Sequence, residues 1–297
     1  MPKRARRSIS LRAGVTCAAV ALALTGAGVA TAAGSSGVDK KAAALVPASL
    51  AKKGTVTIAA DATYAPNEFI ASNGHTVIGM DVDLGTALFA KLGLKVNFVN
   101  VTFDAIITGL AAGKYDIGMS SFTDTKAREK VVNFVDYFEA GTSFFEKSQG
   151  GPKVTNLASL CGLTVSVETG TTEQSDAQGQ YAKCKAEHKK PVTVLAFPTQ
   201  TNANLALSSG RAQVSMADSP VAAYQVKQSN GAFKLVGQTY GTAPYGIAVP
   251  KAYGKLDQAM LLALKDLISS GQYAAIMKKW GVEAGDDTHP VLNGATS

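Results

Sequence analysis

Histidine and cysteine are scarce, three of each in 297 residues. None sit at ligand spacing, so the sequence offers no metal-binding motif. Absent too are G-x-S-x-G, the P-loop and G-x-G-x-x-G, and with them the local signatures of hydrolase, nucleotide and dinucleotide chemistry. Past Ala32 no stretch is long and apolar enough to span a bilayer. A cationic surplus is also missing once the N-terminus is set aside. Of 29 cations, Lys3, Arg4, Arg6, Arg7 and Arg12 fall in the first 32 residues, where there is no acid; 24 then face 22 acids, net +2. That balance makes no case for nucleic acid or for a polybasic membrane surface.

What is present begins with a leader. "MPKRARRSISLR" is basic, "AGVTCAAVALALTGAGVA" is apolar and small, and "ATA" at Ala30 to Ala32 offers a small-x-small cleavage site. This is the plan of a secretory signal peptide over 1–32. Glycines in the apolar run weigh against a retained membrane anchor. Arg6 and Arg7 hint at a twin-arginine route. Cys17 lies inside the run rather than at its end, which argues against a lipoprotein. The mature product is then exported, to a periplasm or an extracellular cell surface. In that oxidising setting Cys161 and Cys184 read as a disulfide, the alternative being two buried thiols.

Residues 33–53 are small, polar and Ala/Lys-rich and read as a flexible leader. From Thr55 to Trp280 short apolar strands alternate with helical patterns. The strands are "TVTIAA", "KVNFVNV", "YDIGM", "LTVSVE", "VTVLAF", "AQVSM", "FKLVG" and "GIAVP". The helices run through "DVDLGTALFAKLG", "FDAIITGLAAG", "TTEQSDAQGQYAKCKAE", "QTNANLALSSG", "SPVAAYQVKQSNG" and "KLDQAMLLALKDLISSG". Several end at glycine (Gly93, Gly113, Gly210, Gly231, Gly271), as left-handed caps require. Strands this apolar imply an α/β fold with mainly parallel sheets. "LAAGKYDIGMS" and "LSSGRAQVSMA" share Leu, Gly, a cation and Met at equal offsets. The repeat predicts two similar lobes, one delivering Ser120, Ser121 and Thr123, the other Asp218. Ligands of open α/β sheets bind at the carboxyl ends of strands, so hydroxyls and a carboxylate would face each other. Chance similarity of helix–glycine–strand pieces is the competing account.

Taken in order, "TIAADATYAPNEF", "VIGMDVDLGTALFAKLGLKV", "LAAGKYDIGMSSFTDTKAREKVVNFVDY", "LTVSVETGTTEQ", "SGRAQVSMADSPVAAY" and "GQYAAIMKKWG" resemble the polar amino-acid-binding proteins of ABC importers, bacterial extracellular solute-binding protein family 3. The resemblance runs from about Gly54 to Gly281. It implies a two-lobed periplasmic-binding-protein-like fold with a two-strand hinge, closing on a free amino acid and delivering it to a membrane permease. No cofactor is called for, and a monomer is expected. Lobe one would hold 54–142 plus 240–281 and lobe two 143–239, with crossings near Glu139 to Lys147 and Val236 to Pro244. Residues 282–297 would form a loose tail.

The resemblance also assigns residues. Arg128 would grip the ligand carboxylate with two parallel N–H···O bonds, a fork that lysine cannot copy. Ser121 and Thr123 would assist it, with Thr171 or Thr172 reaching in from lobe two. Asp218 would take the ammonium. Asp61, Tyr64, Phe103 and Glu168 would surround the side chain, and the two acids tilt the choice toward a basic or neutral amide ligand. Asn67 stands where many relatives carry an aromatic and would make the pocket mouth more polar. Each assignment has a plainer rival. Arg128 can pair with Glu129 or Asp124, and Asp218 can cap the "SPVAAY" helix. Thr125 reads as a helix cap, and Asp81 and Asp83 as helix-start charges. Two other functions compete: an exported dehydratase-like enzyme with Glu168 as general acid, and a sensor module.

Overall fold

β-Branched runs between glycines become strands, and the amphipathic stretches between them become helices. The computed structural model describes residues 37–296; the signal-peptide reading of 1–32 falls outside the described residues. In chain order the elements are α1 (Lys40–Ala43), α2 (Ala48–Lys53), β1 (Thr55–Ala60), β2 (Thr63–Tyr64), β3 (Glu68–Ile70), β4 (Val77–Ile78), α3 (Met80–Lys91) and β5 (Lys95–Asn100). Next come α4 (Phe103–Ala111), β6 (Ile117–Gly118), α5 (Lys126–Glu129), β7 (Val132–Lys147), β8 (Thr164–Glu168), α6 (Thr172–Ala186) and β9 (Thr193–Phe197). The chain continues through α7 (Gln200–Ser208), β10 (Val214–Asp218), α8 (Ser219–Gln228), β11 (Phe233–Pro250), α9 (Leu256–Ser269) and α10 (Gln272–Trp280).

Among the described residues, eight strands form one sheet in the order β5-β1-β6-β11-β7-β10-β8-β9, and β2-β3-β4 form a small antiparallel sheet. β1 lies parallel to β5 and β6, and β8 parallel to β9 and β10. Between these parallel triplets run β7 and β11, 16 and 18 residues long and antiparallel to each other. The sheet order is therefore mirrored about a central pair of long strands, which gives two α/β lobes. β6 pairs with β11, and β10 with β7, both antiparallel. The α4–β6 and α7–β10 segments, which carry the repeated Leu-Gly-cation-Met spacing, thus hold equivalent places. Register shifts in the β7–β11 pairing cluster at Val236/Tyr240 and Tyr240/Ala243, midway between the lobes. "FKLVG" and "GIAVP" are two ends of the one strand β11, and β7 includes the segment read as a bare crossing.

Helices cover both faces of the sheet, as parallel strands require. On α9, Leu256, Ala259, Met260, Ala263, Leu264 and Leu267 are all buried, at the i, i+3, i+4 spacing of one helix face. They pack with Leu84, Leu88 and Phe89 of α3 and Ile58 of β1. Phe103, Ile106 and Leu110 of α4 fill the opposite face of that lobe with Phe122 and Phe134. In the other lobe, Val165, Val167 and Met216 pack against Ala177 of α6, and Phe145 against Leu207 and Val221. Gly93, Gly113, Gly210, Gly231 and Gly271 all adopt left-handed φ values. Cys161 and Cys184 form a disulfide with Cα atoms 5.7 Å apart. No helix among the described residues is long and apolar enough to cross a membrane.

Both ends of the folded body are more ordered than their composition suggests. The stretch read as a flexible leader forms α1 and α2, and Ala42 and Leu50 are buried against the α3/α9 core. The stretch read as a loose tail lies along β7. Its Asn293 exchanges hydrogen bonds with the backbone of Phe134, donating at 3.1 Å and accepting at 2.7 Å. Gly294 N–H donates to Asp136 at 2.9 Å and Ala295 N–H to Asp124 at 3.1 Å. Small, turn-forming residues leave the tail backbone free to pair, a property that hydrophobicity does not reveal.

Candidate functional site

The carboxyl ends of β1, β6, β8 and β10 converge from the two lobes. Immediately after or at those ends stand Asp61, Ser120–Ser121, Glu168 and Asp218. Together with Tyr64, Phe103, Thr123, Arg128, Thr171, Thr172 and Glu173 they line one cavity. All ten residues singled out from the sequence are thus brought to the same place.

Arg128 sits on α5, whose first turn is capped by Thr125 Oγ accepting from Arg128 N–H at 3.2 Å. Its Nη1 donates to the Thr123 carbonyl at 2.7 Å, and its Nη2 crosses to the Gly170 carbonyl at 3.0 Å. Below, the guanidinium lies 5.3 Å from the Phe103 ring and 5.4 Å from Phe122, two rings stacked at 4.5 Å. Aromatic faces and carbonyls fix its plane without neutralising it, since neither is a counter-ion. Burial lowers its pKa, and the charges of Glu173 and Asp218 oppose that shift. Neither Glu129 nor Asp124 pairs with it: Glu129 takes Lys126 at 3.0 Å, and Asp124 accepts from the tail.

Asp218 begins α8, yet its side chain makes no capping bond. Instead it accepts from the Tyr64 hydroxyl at 2.9 Å, while its own N–H donates to that hydroxyl at 3.0 Å. The Tyr64 ring packs with Phe145 and Val221 of the opposite lobe, so it is a clasp as well as a wall. A second clasp is the Gln200 N–H donating to Thr63 Oγ at 3.2 Å. Burial, and then Glu173, push the Asp218 carboxyl well above the usual range.

Asp61 is held by three donors: Thr63 N–H at 3.1 Å, Thr63 hydroxyl at 2.6 Å and Phe103 N–H, at the start of α4, at 3.1 Å. Glu168 lines the same cavity. Burial raises both pKa values, that of Glu168 well above its usual range, where the Asp61 charge adds to the rise. Thr171 caps α6, accepting from Gln174 N–H at 3.2 Å and donating to the Glu168 carbonyl at 2.8 Å. Thr172 donates to Glu173 at 3.3 Å.

Ser121 adopts φ 51°, a left-handed conformation. Its N–H donates to Asp81 at 2.9 Å, and its hydroxyl accepts from Asn67 Nδ2 at 2.9 Å and donates to Glu68 at 3.3 Å. Ser120 accepts from Asp61 N–H and donates to Glu68, each at 2.9 Å. Beneath the cavity floor, then, Glu68 and Asp81 form a buried acidic brace. Burial and the neighbouring Asp81 raise the Glu68 pKa well above normal, and burial lifts Asp81 to about 6, with Tyr137 donating to it at 2.6 Å. Asn67 belongs to this brace and is fully buried, so it does not form the pocket mouth. Its carbonyl lies so near Gly79 that an added Cβ would approach to 2.1 Å, which turns the chain inward there. Asp83 does behave as a helix-start charge, bonded to Trp280 Nε1 at 2.7 Å.

Ser120, read from the sequence as delivered by the loop of the first lobe, lines the cavity, whereas sequence reading missed Glu173. Glu173 occupies the first turn of α6, where an acid is ordinary; it is buried and accepts from Thr142 of β7 at 2.7 Å. Its place one residue past Thr172 was the available signal.

A family model described as bacterial extracellular solute-binding proteins, family 3, matches residues 56–283. The arginine-binding protein ArgT of Corynebacterium glutamicum is 37% identical over 243 residues, covering 82% of this chain and 79% of that one. Two solved structures are 36% identical. An ancestral arginine-binding protein bound to glutamine superposes with a TM-score of 0.71 over 77% of this chain and 99% of its own. The same description bound to arginine gives 0.70 over 76% and 98%.

Proposed function

Because the chain belongs to the bacterial extracellular solute-binding proteins, family 3, we propose that it captures a free amino acid with a cationic side chain, arginine first, and presents it to the permease of an ABC importer. The observation that carries this reading is the charge inventory of the cavity. Asp61, Glu168, Glu173 and Asp218 line it with Arg128 as their cationic counterpart. A zwitterion places its carboxylate on Arg128 and its ammonium on Asp218. That leaves Asp61 and Glu168 facing the far end of the ligand, where a third charge of positive sign is favoured and an anionic one repelled. Thr123, Ser121, Thr171 and Thr172 shape the carboxylate end, mainly through backbone and helix-start groups. Phe103 and Tyr64 flank the methylenes. The relatives named above as arginine-binding agree with this choice.

Motion between lobes supplies the capture step. In this reading 54–142 with 240–281 moves against 143–239 about the irregular centre of β7 and β11. Arg128, Tyr64 and Thr63 reach across the cleft, so a ligand that bridges the same groups favours the closed form by its extra contacts there. Drying the cavity strengthens each charge contact. A monomer suffices, since every proposed contact comes from one chain. The dehydratase-like alternative asks Glu168 to serve as a general acid on a substrate; the relatives named as binding proteins favour capture. Calorimetry against free amino acids tests the reading. Arginine should bind tightest and unchanged, glutamate not at all; preferred binding of an acidic or aliphatic amino acid would overturn it.

A further inference from the structure

Asp61 and Glu168 come from β-strand ends in opposite lobes, and each is only 2% exposed. Both line the same cavity, each within the other's electrostatic field. Two like charges buried so close to one cavity disfavour double ionisation, so the pair keeps a proton. The surrounding donors say where it resides. Asp61 accepts from Thr63 N–H, Thr63 hydroxyl and Phe103 N–H, which favour its charged form. Glu168 Oε1 is buried and accepts from no protein donor among the described residues. The proton therefore sits on Glu168.

We propose that this pair is a proton-operated selector: with both carboxyls ionised it takes a cationic side chain, and with one proton held on Glu168 it takes a neutral ureido or amide side chain. The proposal rests on the amino-acid-receptor reading above and adds a second ligand class to the same site. Donor–acceptor matching drives it. A guanidinium or ammonium presents donors alone, so both carboxyls must be acceptors. A ureido or amide end presents a carbonyl as well as N–H groups. Protonated Glu168 donates to that carbonyl while Asp61 accepts from the N–H. The wrong pairing leaves a buried polar group unsatisfied, which is strongly disfavoured. The other charged groups facing the pair have one sign: Glu68 of β3 beside Asp61, and Glu173 of α6 and Asp218 at the end of β10 beside Glu168. Tyr64 of β2 lies within their field as a neutral phenol, and Arg128 of α5 is held away by Thr123 and Gly170. Among the described residues, no cation thus competes with the proton or with a cationic ligand at this end.

Citrulline and arginine make the test, because they share length and shape and differ in charge. Their complexes differ by one proton, and the free protein cancels from the ratio of their dissociation constants. Competition calorimetry of the protein from about pH 5.5 to about pH 7.5 should show citrulline losing ground to arginine by about tenfold per pH unit. Titrations in buffers of different ionisation heat should count about one proton more in the citrulline complex. Glu168→Gln should bind citrulline with no such slope. A ratio constant across the range overturns the selector, as does failure to bind citrulline at the acid end while arginine binds. The wild-type slope decides even if the variant folds poorly. Failure to bind arginine at any pH would instead overturn the receptor reading itself.

Discussion

Consider the replacement of Arg128 by alanine combined with the replacement of arginine by arginine amide. The guanidinium has two duties. Its Nη2 closes on the Gly170 carbonyl at 3.0 Å, and its remaining donors face the cavity beside Thr123. Loss of the first duty weakens closure on any ligand; loss of the second matters only if the ligand ends in a carboxylate. Hydrogen bonds to charged groups contribute about 1.5–3 kcal/mol each. A forked pair to the carboxylate is then worth about 3–6 kcal/mol, or on the order of 10²–10⁴-fold in Kd for arginine. At its carboxyl end arginine amide keeps one carbonyl acceptor and no negative charge, so the wild type should bind it far less well. In Arg128→Ala the two ligands should differ little, because the closure contribution is common to both and cancels. The interaction energy from the four titrations should reach about 2–4 kcal/mol, within the range measured for close charge pairs. Arg128→Lys should fall between, since an ammonium can replace the charge but not the two-pronged contact. Coupling below about 0.5 kcal/mol would refute the assignment and make Arg128 a structural clasp between Thr123 and Gly170.

Asp218→Asn should weaken arginine by at least about tenfold while barely changing the thermal midpoint, since the amide oxygen can still accept from Tyr64; unchanged affinity by calorimetry would remove Asp218 as the ammonium partner. Cys161→Ala with Cys184→Ala should lower stability by about 3 kcal/mol for the observed separation of 23 residues, read as an earlier urea midpoint; an unshifted midpoint would contradict it. Asp124 and Asp136 share the tail contact, with pKa values raised to about 6 and about 7 by burial first and by neighbouring acids after it. Folded values above the unfolded ones mean that their stabilisation is full below pH about 4 and lost as pH rises through about 6 to about 7. Asp136→Asn should therefore flatten the urea midpoint across that window, and a slope equal to wild type counts against the pair. Ending the chain after Gly285 should lower the melting temperature and remove the same pH dependence.

How much of this was written in the sequence depends on whether residue type or burial carries the information. Arg128, Asp218, Thr171 and Phe103 were legible through the family resemblance, to which their chemistry adds a reason: a fork, an acid after a strand, a hydroxyl before a helix, an aromatic at a helix start. The mirrored sheet was legible because Leu110–Met119 and Leu207–Met216 repeat a helix, a glycine turn and a buried strand. Glu68, Asp81 and Glu173 were not, because an acid early in a helix or beside a turn has the same local pattern whether it faces water or the core. What buries them is non-local. Gly79 lets the chain approach Asn67, Tyr137 arrives from β7, and Thr142 reaches Glu173 from the same strand. The continuity of β7 and β11 was hidden for a related reason. Each passes from one lobe's core to the other's, so its apolar pattern breaks at Thr239–Thr242, midway along β11, where the backbone pairing also shifts register. In the receptor reading, that break is where the two halves move. The residues least readable as strand are thus the ones on which the receptor reading places its motion.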